Sequence, residues 1–192
     1  MDEGLRSDPL MARGLDLLGF DPFGRLDEGT RFQQPALFLV SVAAWERSGI
    51  AAPVAAAGHS LGEYAALVAA GAIDFDDAVN VVALRGDAMA RAGERPGGEG
   101  SMIAVLGEDD DQVRAVAHEH GLTVANDNAP GQLVLSGPIA GIEAVDAGPL
   151  RTRRLDVSGA FHSPLMAPAA EELAAALEEI EIRPPRFPVI SN

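Results

Sequence analysis

Two glycines flank a serine at Gly58-His59-Ser60-Leu61-Gly62, a spacing that in a sharp strand-to-helix turn pushes the serine hydroxyl into the open. Glycine is expected at both flanks because a larger side chain would clash in so tight a turn. A helix that begins just after Ser60 aims its free N–H groups at the hydroxyl. The Leu61 N–H can then form half of an oxyanion hole, stabilising the tetrahedral intermediate of acyl transfer. Alone, the five-residue pattern also fits an ordinary turn. The flanks favour chemistry: Val54-Ala55-Ala56-Ala57 reads as a short buried strand, and Glu63 to Ala70 is strongly helical.

A serine at its ordinary pKa is a weak nucleophile and needs a base. The chain has four histidines. His118 and His120 flank Glu119 ahead of Gly121, in what reads as the polar last turn of a helix. His59 neighbours the serine but cannot easily face it from the adjacent position of a tight turn, which leaves it a supporting place. His162 lies between apolar Ala160-Phe161 and the helix-starting Ser163-Pro164, in a loop that can reach the turn, and is the expected general base. Arg85 falls near Val82 and Met89 at the edge of an apolar helical stripe. Two readings of it stand side by side: a packed stem with its head in water, or a bidentate clamp on a carboxylate, a task for which arginine is better shaped than lysine.

Composition narrows the remaining chemistry. The 192 residues contain no cysteine, which excludes disulfides, a cysteine nucleophile and thiolate metal sites. A metal site would have to use the histidines, and none is expected. With 29 acidic against 14 basic residues the formal charge is −15, which argues against broad nucleic-acid binding. No apolar run approaches the roughly 20 residues of a membrane span. The N-terminal stretch, acidic and without a continuous apolar core, does not read as a signal peptide, so a cytoplasmic protein is expected.

The elements that must hold these residues can be read in outline. Pro9 to Leu18 suits a short amphipathic helix, Ala36 to Arg47 a helix with Pro35 in its first turn, and Asp74 to Arg91 a long helix with Phe75, Val79, Val82 and Met89 on one stripe. A glycine-rich hinge, Gly93 to Gly100, follows. Beyond it Ser101–Leu106, Asp109–His118, Leu122–Ala125, Leu133–Ser136, Ile139–Asp146 and Arg151–Val157 read as strand, helix, strand, strand, helix and strand. That βαββαβ order is the ferredoxin-like arrangement. A helix near Pro164 to Ile180 and a strand at Val189 to Asn192 close the chain. The expected fold is α/β: a larger parallel-sheet, hydrolase-like subdomain carrying the nucleophile elbow, formed by residues 1–95 and 159–192, with a ferredoxin-like small subdomain, 101–157, inserted in it.

Several stretches in order then match one family: Gln34-Pro35-Ala36-Leu37, Gly58 to Tyr64, Gly71-x-Ile73-x-Phe75-x-x-Ala78, Arg85-Gly86-x-x-Met89, Asn128-x-Pro-Gly-Gln132 and Phe161-His162-x-x-Leu165-Met166. Together they resemble the malonyl-CoA:acyl carrier protein transacylases and the acyltransferase domains of polyketide and fatty-acid synthases, from about residue 15 to the C-terminus. The resemblance implies that Ser60 accepts malonyl from coenzyme A, and that His162 deprotonates it and later the carrier-protein thiol, a Ser–His pair with no acidic third member. Arg85 would hold the malonyl carboxylate, Leu61 N–H would serve the oxyanion, and Gln34, His59, Met89 and Phe161 would be further substrate-binding positions. The bulky Phe161 resembles members selective for malonyl, in which the ring leaves little room for an α-methyl branch. The implied partners are malonyl-CoA and acyl carrier protein, with no cofactor beyond the coenzyme A thioester and no nucleic acid or membrane.

Departures from the family pattern shape further expectations. The family's N-terminal strand and its glycine- and glutamine-rich loop, source of the second oxyanion N–H, have no counterpart, nor has its C-terminal part with the carbonyl that orients the histidine. A chain truncated at both ends is therefore expected, with Ile139–Pro149 also shorter than the usual helix of the small subdomain. Loss of an oxyanion donor costs about 100- to 1,000-fold in turnover, and central strands would expose apolar edges. A net charge of −15 repels an acidic carrier protein at long range. Arg151, Arg153 and Arg154 form the densest basic cluster, either a docking patch, a contact for coenzyme A phosphates, or a solvated strand face. The alternatives are an α/β-hydrolase-type serine hydrolase, which needs a buried acid beside His162 with Asp156 the nearest obvious one, and a non-catalytic copy.

Overall fold

The computed structural model describes residues 8–51 and 53–191. Residues 1–7, which carry part of the leader reading, and Asn192, the expected last strand residue, lie outside them. By contacts the chain divides into two compact units, residues 1–87 with 173–192, and residues 88–172. The second unit is wider than the 101–157 segment. Ala88, Met89 and Ala92 pack with Met166, Ala169, Phe161 and Leu165, and this cluster brings the end of the long helix and the return segment into it.

In the first unit, α1 (Pro9–Leu18) starts on Asp8, whose carboxylate accepts from Leu10 N at 2.9 Å, and ends on Gly19 in the left-handed region. A Cβ on Gly14 would stand 2.2 Å from Leu39 Cδ2, so a larger residue there would have to turn the buried Leu39 side chain that α1 packs on from α2 (Thr30–Ser48). The helix α2 corrects the expected boundary. It begins at Thr30, with Gly29 O accepting from Phe32 N and Gln33 N, and Pro35 lies inside it instead of in its first turn. Phe32 and Gln34 are buried, and that tertiary burial outweighs the backbone bond Pro35 cannot donate to Arg31 O. Gly86 of α4 (Phe75–Glu94) backs onto this spot, where a Cβ would lie 3.0 Å from Thr30 O and 3.3 Å from Arg31 O.

The core of this unit joins Met11, Phe38, Leu39, Val42, Ile73, Val79 and Val82. Phe75 stacks on Phe38 with centroids 6.0 Å apart. The sheet is narrower than expected. Among the described residues only Ala56–Ala57 (β1) pairs, in parallel, with Val189–Ile190 (β6), and Val54 stands 94% exposed. Between them in sequence come α3 (Gly62–Ala69) and α4.

The second unit contains β2 (Gly100–Leu106), α5 (Asp110–Glu119), β3 (Thr123–Ala129), β4 (Gln132–Pro138), α6 (Ile139–Asp146) and β5 (Thr152–Arg154), with α7 (Ala167–Glu178) running on from it. The strands form one antiparallel sheet in the order β3-β4-β2-β5. Period-two alternation gives it two apolar faces. Ile103, Val105, Leu133 and Leu135 pack with Val113 and Ala117 of α5 and Ile142 and Val145 of α6. Met102, Ala104 and Val134 face the other way, toward Leu155, Val157 and Phe161. The β3–β4 hairpin is longer than the apolar residues suggested, because Pro130-Gly131 turns it only after Ala129. The strand β5 is shorter than Arg151–Val157, since Val157 N turns back to Leu155 O at 3.1 Å. The fold class is α/β, with parallel and antiparallel sheets. Among the described residues no helix is long and apolar enough to cross a membrane.

Candidate active site

The serine turn forms where the glycines predict it, between β1 and α3. Ser60 has φ +49°, the left-handed region, which costs a non-glycine residue about 1–2 kcal/mol. The turn is held by Gly62 N donating to His59 O at 3.0 Å and Glu63 N to Ser60 O at 3.1 Å. A Cβ on Gly58 would lie 1.9 Å from Gly62 C and 2.3 Å from Glu63 N, both backbone atoms. At Gly62 a Cβ would meet nothing within 4 Å. The clash expected of both glycines is therefore confined to Gly58; Gly62, the first residue of α3, points into open space. Leu61 occupies the N-cap of α3, at the positive end of the helix dipole.

Of the two readings of Arg85, the one with its head in water does not hold. Its guanidinium is buried instead of reaching water, and Nη2 donates to Ser60 Oγ at 2.8 Å while Nη1 donates to Gln34 Oε1. Gln34 Nε2 in turn donates to Thr30 Oγ1 at 2.8 Å. The Tyr64 ring lies beside the guanidinium, 5.8 Å from Arg85 Cζ to the ring centroid. Burial pulls the Arg85 pKa down, with Tyr64 opposing, and burial pushes the Tyr64 phenol up against the pull of Arg85. Thr30 and Tyr64 were missed in the sequence. For Thr30 the signal was spacing, four residues before Gln34 on the same helix; Tyr64 lies in the first turn of α3, next to the serine turn.

His59 is exposed beside a cavity of about 270 Å³ lined by Ala57, Gly58, Ile190 and Ser191. Ser191 Oγ donates to Glu63 Oε1 at 2.7 Å, tying the end of β6 to α3.

The remaining expected residues belong to the second unit. Met89 is buried and packs with Phe161 and Leu165, apart from the cluster of Phe75, Val79 and Val82 whose stripe it shares in sequence. His162 is exposed and has φ +58°. The next residue holds the turn: Ser163 Oγ donates to Ala160 O at 2.7 Å and accepts from Leu165 N at 3.3 Å. Among the described residues, Ser60 and His162 are the non-glycine residues with positive φ. Backbone strain of this kind persists where the surrounding structure enforces it, and such residues concentrate at functional sites.

The other polar residues singled out in the sequence lie at or near the surface. Asp156 is exposed, whereas the hydrolase alternative requires a buried acid. His118 is exposed in the last turn of α5, and His120 caps it. Arg154 is committed to Asp146, with Nε to Oδ2 at 2.8 Å, so the basic cluster retains Arg151, just before β5, and Arg153, on it, as exposed cations. Among the described residues no group of three or more His, Asp or Glu could hold a metal ion.

The profile of the family described as "Acyl transferase domain" matches residues 9–192. The chain belongs to the acyl transferase domain family. This acyl transferase domain is 48% identical over 172 residues to the malonyl CoA-acyl carrier protein transacylase of Bacillus subtilis, covering 83% of this chain and 53% of that protein. It is 42% identical over 195 residues to the transacylase of the same name from Escherichia coli K12, covering 94% of this chain and 62% of that one. The chain thus spans between half and two thirds of the length of these relatives. The crystal structure of FabD from Acinetobacter baumannii superposes with a TM-score of 0.89 at 39% identity, covering all of this chain and 65% of that one. A second solved structure, of a malonyl-transacylase in complex with its type II polyketide acyl-carrier protein, gives a TM-score of 0.87 at 38% identity, covering all of this chain and 71% of that one. Membership of the acyl transferase domain family sets aside the α/β-hydrolase alternative.

Proposed function

We propose that this chain transfers malonyl from malonyl-CoA to the phosphopantetheine thiol of an acyl carrier protein, through a malonyl-Ser60 ester, in fatty-acid or polyketide biosynthesis. The observation that carries the reading is the strained Ser60 held against a buried guanidinium, which is itself held by Gln34. A fixed, desolvated cation beside a nucleophile suits a substrate that bears a carboxylate near its reacting carbonyl. Malonyl thioesters have that form.

The steps balance as follows. His162 takes the Ser60 proton as Oγ attacks the thioester carbonyl, the C–S bond breaks, and the coenzyme A thiolate leaves with that proton. The carrier thiol gives its proton to His162 and attacks the ester, the C–O bond breaks, and Ser60 regains the proton. Arg85 Nη2 exchanges the Ser60 hydroxyl for the malonyl carboxylate, releasing Oγ to react. Leu61 N–H serves the oxyanion, while His59, Met89 and Phe161 complete the substrate positions, the ring of Phe161 disfavouring an α-methyl branch. The reading requires no cofactor and places the enzyme in the cytoplasm. The strand order of the second unit supports a ferredoxin-like small subdomain, and the turn between β1 and α3 supports a hydrolase-like larger one.

Incubation with isotope-labelled malonyl-CoA followed by peptide mapping tests the assignment. Label is expected on the peptide bearing Ser60 and absent from Ser60→Ala. Label that survives Ser60→Ala would sink it.

A further inference from the structure

We infer that Thr30 is a positioning residue of the carboxylate pocket: its hydroxyl oxygen takes the Gln34 amide N–H and thereby keeps Gln34 Oε1 on Arg85 Nη1. The inference rests on the proposed malonyl transfer for its consequence, though not for its geometry.

Hydrogen-bond inventory carries the argument. A guanidinium only donates, so Gln34 must present its amide oxygen to Arg85. The amide NH₂ then points the opposite way, and Thr30 Oγ1 receives it at 2.8 Å. Thr30 is 7% and Gln34 5% exposed, so bulk water has little access to replace that acceptor. Removing the Thr30 hydroxyl costs the buried Gln34 N–H this bond and loosens the hold on the orientation of the amide. Turning the Gln34 amide takes its oxygen off Arg85 Nη1. The bond to Ser60 Oγ at 2.8 Å and the Tyr64 face would then be left to fix the guanidinium.

The backbone reinforces the same placement. Thr30 and Gln34 share a face of α2, one turn apart, and Gly86, next to Arg85, admits the Thr30 carbonyl so closely that a Cβ would stand 3.0 Å from it. Thr30 therefore meets α4 through its main chain and steers Arg85 through its side chain.

Thr30→Val keeps the shape and removes the hydroxyl; Thr30→Ser keeps the hydroxyl. A looser guanidinium weakens carboxylate binding in ground and transition state alike, which raises KM and leaves kcat nearly alone. For Thr30→Val the KM for malonyl-CoA is expected to rise about tenfold, about 1.4 kcal/mol, with kcat within about twofold of wild type, and Thr30→Ser is expected to restore the wild-type KM. Exchange of the Gln34 side-chain amide protons, followed by NMR, gives a readout independent of transfer. Protection is expected in wild type and Thr30→Ser and lost in Thr30→Val.

A wild-type enzyme that loads malonyl, with Thr30→Val showing an unchanged KM, overturns the inference. So does a Thr30→Ser variant that fails as badly as Thr30→Val, which would mark Thr30 as structural only. A wild-type enzyme that loads no malonyl, with Gln34 protection lost in Thr30→Val alone, overturns the proposed function and upholds the positioning role.

Discussion

Replacing Gly58 by alanine puts the geometry of the serine turn to a quantitative test. The new Cβ would sit 1.9 Å from Gly62 C, 2.1 Å from Gly62 O and 2.3 Å from Glu63 N. All three are main-chain atoms of the turn and of the first residues of α3, so no side-chain rotation relieves the overlap. The turn must open by more than an ångström, against the bonds from Gly62 N to His59 O and from Glu63 N to Ser60 O. Overpacking in a constrained place costs about 1–3 kcal/mol and occasionally more, and two turn bonds add about 1 kcal/mol each, so about 3–5 kcal/mol is expected for Gly58→Ala. In a chain of this size 1 kcal/mol moves Tm by about 2–4 °C, which makes the shift about 6–20 °C. Gly62→Ala is the control. Its Cβ meets nothing, and alanine in place of a helix-terminal glycine restricts the unfolded chain, so it is expected to be neutral or stabilising by up to about 1 kcal/mol. Urea denaturation of both variants, fitted by linear extrapolation, reads the difference directly. Equal midpoints for the two variants, or a wild-type midpoint for Gly58→Ala, would refute the argument that only the first glycine is sterically required.

Further outcomes follow from the same contacts. Gly86→Ala brings a methyl 3.0 Å from Thr30 O and 3.3 Å from Arg31 O, so α2 and α4 must separate by a few tenths of an ångström. A loss of about 1–3 kcal/mol in urea denaturation is expected, together with weaker malonyl loading. Tyr64 is the single tyrosine of the chain, so its phenolate absorbance titrates one site. Burial raises its pKa against the opposing pull of Arg85, so the folded-state midpoint is expected above the ordinary value of about 10, and Arg85→Met, which keeps bulk and removes the cation, is expected to raise it further. The folded chain holds this proton more tightly than the unfolded one. Its contribution to stability is therefore intact below about pH 10 and is lost as pH rises through the folded-state midpoint. A midpoint at or below 10 would show that Arg85 outweighs burial.

Much of the site was legible because its signals are local. The glycine spacing around Ser60 dictates a turn, the alanine-rich run after it dictates α3, and local sequence pattern places α1, α4, α5 and α6 close to where they form. Motif order tied Ser60, Arg85, Gln34 and His162 to one family. The misreadings arose where a distant partner overrides a local rule. A proline marks a first turn by propensity, yet α2 starts five residues earlier because Phe32 and Gln34 bury and Gly86 accommodates the backbone of Thr30 and Arg31. Met89 shares a sequence stripe with Phe75, Val79 and Val82, and still packs with Phe161 and Leu165.

By itself the sequence determined the chemistry available: a serine in a glycine turn, a histidine after a phenylalanine, an arginine on an apolar helix, and no cysteine to offer another route. It could not determine which way the arginine points, because a snorkelling and a buried guanidinium obey the same helical spacing. Tertiary structure decided that, since α2 and α4 meet across Gly86 and place Gln34, Arg85 and Ser60 within hydrogen-bonding reach. The left-handed backbone of Ser60 and His162, by contrast, belongs to short turns held by their own neighbours. At Ser60 the turn bonds of its neighbours hold that costly conformation, and the distant Arg85 adds a bond to Oγ.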